Sequence, residues 1–149
     1  LEGLLAESTI RDGETVLVHG DYDADGMTAT ALLTLGLRHI GLRTAPYVPE
    51  RSGGGYDLGP SGIEEARAQG ATLIVTADCG IKASGAVEDA ASLGIDVIIT
   101  DHHQPGAILP PAVAVVNPNR ENQDYPFRDL AGVGVAFKMI QQLFAIRKL

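Results

Sequence analysis

The side chains able to do chemistry fall in four short clusters. They are His19-Gly20-Asp21-Tyr22-Asp23-Ala24-Asp25-Gly26, Asp78-Cys79-Gly80, Asp101-His102-His103 and Asn117-Pro118-Asn119. Carboxylates mixed with imidazoles, without a set of thiolates, suit Mn²⁺ or a related first-row ion. Mg²⁺ is possible but less natural for imidazole. Several carboxylates brought together are costly unless cations neutralise them. Two ions roughly 3.5–4 Å apart, the spacing that activates water and steadies both oxygens of a phosphoester displacement, would do so. In His19-x3-Asp23-x-Asp25 alternate residues leaving a strand point the same way, so Asp23 and Asp25 are expected on one side with His19 behind them. Asp78 is a candidate bridging ligand. In Asp101-His102-His103 one imidazole can bind metal while the other donates to a phosphate oxygen, and Asp101 can fix a ring's tautomer. Which histidine does which stays open.

Other chemistries fit less well. Asp21, Asp23, Asp25 and Gly26 satisfy the opening of a calcium-binding loop, but position 12 would be Leu32 rather than glutamate, and a strand precedes it. Capping of a helix that starts near Met27 would explain Asp25 alone. Cys79 reads as a small buried residue rather than a nucleophile, since nothing nearby would activate it. There is no Gly-x4-Gly-Lys-Ser/Thr phosphate loop and no Gly-x-Ser-x-Gly elbow. Gly132-x-Gly134 begins a dinucleotide pattern, but Phe137 occupies the third glycine position; a tight loop entering a helix explains it.

The elements that must position these clusters alternate along the chain. Continuously apolar runs at 15–18, 72–76, 96–100 and 112–116 read as strands buried on both faces, with a weaker strand at 44–48. Helical stretches lie at 27–40, 60–69, 83–93 and 133–147, three of them stopping at Gly41, Gly70 and Gly94. This alternation predicts a three-layer α/β domain: a mostly parallel five-stranded sheet with helices on both faces. The carboxyl ends of such strands share one edge, where ligands bind, so the four clusters converge. The stretch from Pro49 to Pro60 contains three consecutive glycines. It is expected to be a loop in which Arg51 could offer a phosphate fork.

The 149 residues form one domain's worth of chain, 45% hydrophobic, with 19 acidic against 11 basic side chains and a net charge of −8. Five of those negative charges are Asp21, Asp23, Asp25, Asp78 and Asp101. Two divalent cations would halve the net charge, so the acidity reflects a metal site rather than excluding nucleic acid as substrate. No apolar run approaches the roughly 20 residues of a membrane helix, and no membrane role is expected. The single cysteine fits a reducing cytoplasm.

Taken together, these motifs resemble the DHH phosphoesterase family, named for the triplet found here at Asp101-His102-His103. The wording Gly20-Asp21-Tyr22-Asp23-Ala24-Asp25-Gly26 and Leu130-Ala131-Gly132-Val133-Gly134-Val135-Ala136-Phe137-Lys138 resembles the branch that degrades single-stranded DNA. The resemblance implies metal positions at His19, Asp23, Asp25, Asp78 and His102, with His103 as phosphate contact or second ligand. Asp21 and Asp101 are then supports behind them. It implies Mn²⁺ or Mg²⁺, two ions, and metal-dependent phosphodiester hydrolysis. The activity would be 5′ to 3′ release of 5′-mononucleotides from single-stranded DNA in repair and recombination. A small-substrate relative, an oligoribonuclease, cyclic-dinucleotide phosphodiesterase or pyrophosphatase, is the alternative. Two departures stand out. Asp57 follows Tyr56 where glycine is expected, and no acidic residue follows Asp129, although the family carries a further metal-binding aspartate downstream. The family's smaller second domain, of the DHHA1 type, and a DNA-binding module are also missing. The expectation is a catalytic domain, 1–149, cut from a longer polypeptide and inactive or feeble alone.

Overall fold

The structure, a computed structural model, describes residues 10–50, 57–121 and 124–149. Five strands form one sheet: β1 (Thr15–Gly20), β2 (Arg43–Tyr47), β3 (Leu73–Ala77), β4 (Asp96–Thr100) and β5 (Ala114–Val116). Among the described residues, three helices connect successive strands, α1 (Ala24–His39), α2 (Pro60–Ala68) and α3 (Ser84–Ser92), and α4 (Gly132–Arg147) follows β5. All pairings are parallel and the spatial order is β2-β1-β3-β4-β5. The apolar runs become strands because they can bury side chains on both faces. Val16, Val18, Leu73, Val75 and Ile98 face α1 and α4, while Leu17, Ile74, Val97 and Ile99 face α2 and α3. Both layers of core are thus encoded by single strands. The weak strand β2 lies at the sheet edge, where Pro46 costs no interior ladder bond.

This strand order has a switch point. The chain leaves β1 for a helix on one face and leaves β3 for a helix on the other, so a crevice opens between their carboxyl ends. Gly20 and Ala77, which pair across it, are followed directly by Asp21 and Asp78. Helix ends follow local chemistry: Gly41, Gly70 and Gly94 all take positive φ just beyond α1, α2 and α3, as expected of left-handed caps.

Helix starts differ from expectation. α1 begins at Ala24, and its cap is Asp23, whose Oδ1 accepts from the Gly26 amide at 2.8 Å. Asp25 therefore does not cap this helix; it lies in the first turn with its side chain free for other work. The strand also ends at Gly20, so Asp23 and Asp25 are displayed by a helix start and not by strand alternation. β5 is shorter than its apolar run, covering 114–116.

α1 and α4 run side by side on one face, with Gly36 of α1 against Ile140 of α4. A Cβ at Gly36 would lie 2.7 Å from Ile140 Cδ1. Gly36→Val is expected to destabilise the fold by about 1–3 kcal/mol. In a urea-melt double-mutant cycle, the loss should shrink when Ile140 is also cut to Ala, and additive losses would disprove the close approach.

Candidate metal centre

Every sequence cluster arrives at the carboxyl rim of the sheet. Asp78 directly follows β3 with φ 64°, a left-handed conformation that costs a non-glycine residue roughly 1–2 kcal/mol. The fold imposes it through a short lattice of bonds. The Asp78 amide donates to the Thr100 carbonyl at 3.0 Å, Thr100 Oγ1 donates to the Thr76 carbonyl, and Thr76 Oγ1 donates to the Cys79 carbonyl. The turn aims the carboxylate into the crevice, where Asp78 is 1% exposed.

Two groups of possible ligands share that carboxylate. Asp21, Asp23 and Asp78 offer oxygens that all lie within 4.8 Å of one another, and Asp78, His102 and His103 do the same. His102 Nε2 is 3.1 Å from Asp78 Oδ1 and 3.7 Å from Asp25 Oδ2. The shorter contact lacks hydrogen-bond direction, so Asp78 Oδ1 is a buried acceptor without a donor among the described residues. Burial, and next the charge of Asp25, push the Asp78 carboxyl up to about 7. Asp21 is raised too, first by burial. A crowd of acids held in this way fits a divalent cation: the unpartnered oxygen and the imidazole nitrogens are the donors it requires.

Asp101 is spent on hydrogen bonds to its neighbours. Its Oδ2 accepts from the Ile81 amide at 3.0 Å, and its Oδ1 accepts from the His102 and His103 amides. Oδ1 also lies 2.7 Å from His103 Nδ1. That contact makes Nδ1 the protonated nitrogen and leaves Nε2 of His103 as the free one. Burial alone would lower the His103 pKa, but the Asp101 hydrogen bond and the surrounding carboxylates raise it overall. The third support is the Asn-Pro-Asn turn after β5. Asn117 Nδ2 donates to the His103 carbonyl at 2.9 Å and Asn119 Nδ2 to the His102 carbonyl at 2.6 Å, fixing the backbone of both histidines.

Two of the expected positions sit differently. Asp21, expected behind the ligands, offers an oxygen within 4.8 Å of those of Asp23 and Asp78. His19 is not in either group: it is fully buried, its ring 5.4 Å from that of Tyr47 and its Nδ1 3.6 Å from Cys79 Sγ. Its Nε2 has no partner among the described residues, and burial lowers its pKa to about 4. The cause is strand alternation, which turns His19 onto the α2 and α3 face with Leu17. Arg51 lies outside the described residues. The sequence also passed over a group: Asp57, treated only as a departure from glycine, accepts from the Gly80 amide at 2.7 Å and the Leu58 amide at 2.9 Å. It thereby ties the loop after Asp78 to the start of α2, and burial raises its pKa. Cys79 is buried with its thiol pushed well up, as an inert core residue should be.

Residues 15–149 match the DHH family, N-terminal domain. The chain belongs to the DHH family. Its relatives include the single-stranded-DNA-specific exonucleases RecJ of Escherichia coli strain K12, 49% identical over 91% of this chain, and of Bacillus subtilis strain 168, 41% identical over 92%. The DHH chain spans 24% and 17% of those two proteins' lengths. Among solved structures, exonuclease RecJ bound to manganese superposes with a TM-score of 0.86 at 36% identity, covering 99% of this chain and 37% of that one. RecJ of Thermus thermophilus in complex with Mn²⁺ gives 0.77 at 34% identity, covering 99% and 21%. The α/β fold expected from the sequence is the fold of these structures.

The raised Asp78 carboxyl carries a pH signature. A carboxyl whose folded pKa lies above its ordinary value favours folding when protonated, at low pH, and that contribution is lost as pH rises through about 7. Asp21 and Asp57 act in the same direction and His19 in the opposite one, so the wild type alone is a poor probe. In chelator, Asp78→Asn is expected to exceed the wild type in stability at pH 8, by up to about 4 kcal/mol, with the gain vanishing near pH 4. Denaturant melts at both pH values check it; a difference independent of pH would refute it.

Proposed function

We propose that this DHH domain is the catalytic core of a metal-dependent phosphodiesterase that degrades single-stranded DNA from the 5′ end to mononucleotides. The observation that carries this reading is the buried Asp78 carboxylate shared by two ligand groups at the β1/β3 crevice. In one group Asp21 and Asp23 join Asp78; in the other His102 joins it, with Asp25 alongside. Two ions, Mn²⁺ or Mg²⁺, held by these groups would polarise the scissile phosphate and lower the pKa of the attacking water. With both ring nitrogens protonated, His103, held by Asp101 through Nδ1, would donate from Nε2 to a phosphate oxygen. The crowded rim of aspartates excludes an anionic substrate until the cations are bound.

Support for DNA as substrate comes from the relatives, all named for single-stranded-DNA-specific exonuclease activity, and from the manganese and magnesium held by RecJ structures. The free buried thiol of Cys79 fits a reducing compartment, in keeping with a cytoplasmic enzyme of DNA repair and recombination.

A panel of 5′-labelled single-stranded DNA, cyclic dinucleotides and pyrophosphate, incubated with the full chain and Mn²⁺, tests the reading. Mononucleotide release from DNA is expected, and preference for either small substrate would defeat it. Asp78→Ala should lose more than about 100-fold in activity while retaining its circular dichroism spectrum. Asp21→Ala is expected to weaken Mn²⁺ uptake in calorimetry more than His19→Ala does, and the reverse order would return the ligand role to His19.

A further inference from the structure

We propose that the first turn of α4 is a positioning element for the metal centre, holding Asp25 through two backbone amides and leaving Asp78 its place through the missing side chain of Gly132. The proposal rests on the metal-centre reading above.

The sequence supplies α4 with no cap of its own. Its N-cap is Ala131, which makes no side-chain bond. Its first amides are satisfied from a distance: Gly132 N–H donates to Asp25 Oδ2 at 2.7 Å and Val133 N–H donates to Asp25 Oδ1 at 2.8 Å. Successive amides therefore grip both oxygens of one carboxylate and fix its plane. The partial positive charge of the helix start also offsets the negative charge of Asp25 in the acidic crevice. A second, independent contact involves Asp78. A Cβ built on Gly132 would lie 2.3 Å from Asp78 Oδ1, the buried oxygen that has no donor among the described residues. Two carboxylates, one from the first turn of α1 and one just past β3, are thus aligned by one helical turn. α4 can act as a fixed reference because its body packs along α1, at Gly36 and Ile140, and α1 itself carries Asp25. His102 Nε2 lies between the two carboxylates, 3.1 Å from Asp78 and 3.7 Å from Asp25, so a small displacement of either changes the cation's surroundings.

A mere cap and a positioning device differ in what they move. Losing a cap costs stability; losing a positioning contact changes metal affinity as well, typically by about 10- to 100-fold for groups that hold ligands in place. Val133→Pro removes one amide donor at a first-turn position that tolerates proline, and Val133→Ala keeps the amide while trimming the side chain. Mn²⁺ affinity is read in the full chain by the electron paramagnetic resonance signal of free Mn²⁺, alongside thermal melts in chelator. Val133→Pro is expected to bind Mn²⁺ about tenfold or more weakly than Val133→Ala. Equal affinity in the two folded variants overturns the proposal. Gly132→Ala, which keeps its amide but pushes on Asp78, should also bind about tenfold more weakly. It decides the matter if Val133→Pro does not fold, and wild-type affinity there overturns the proposal. A wild-type chain that takes up no Mn²⁺ would overturn the metal-centre reading and this proposal with it.

Discussion

Like charges forced together dominate this structure. Asp21, Asp23 and Asp78 present oxygens within 4.8 Å of one another, and Asp25 adds to the field that raises Asp78. Around the buried Asp21 and Asp78 such repulsion is weakly screened. What surrounds it is therefore a set of neutralising devices: two imidazoles, the start of α4 on Asp25, and the amide of Gly26 on Asp23. One device is incomplete, since Asp78 Oδ1 keeps no donor among the described residues. A site that satisfies most of its acids and leaves one exposed electrostatically is arranged for a cation.

Rigidity of the supporting layer explains how the crowd is kept in place. Each strand end is tied to its neighbour: Thr76 to Thr100, the Asp101 amide to the Val116 carbonyl, Asn117 and Asn119 to the histidine backbones. Asp57 and Asp101 then fasten the Gly80 and Ile81 amides, closing the loop that displays Asp78. These polar groups are almost all committed to one another, so the rim behaves as one unit and not as five loops.

Much of this is legible in the sequence. Strands buried on both faces declare themselves as unbroken apolar runs, and Gly41, Gly70 and Gly94 mark helix ends because left-handed backbone is a local requirement. The grouping of Asp78 with His102 and His103, and the supporting place of Asp101, follow from the rule that parallel strands bring their carboxyl ends to one edge. The departures have a common cause. Grouping His19 with Asp23 and Asp25 relies on distance along the chain. Setting Asp21 behind its neighbours does the same, and Asp57 reads as an oddity because its partner, Gly80, is remote in sequence.

By itself, then, the sequence determined the layers, the rim on which the acids collect and the kind of ion they would hold. Those properties depend on side-chain type and on periodicity within a few residues. Only the tertiary structure decided which acids meet, which imidazole nitrogen is free and that Gly132 and Val133 hold Asp25. The contacts to Asp25 join residues more than a hundred positions apart, and they are set by how α4 packs against α1. No local pattern encodes that packing, because an exposed amide at a helix start carries no side chain to announce its partner.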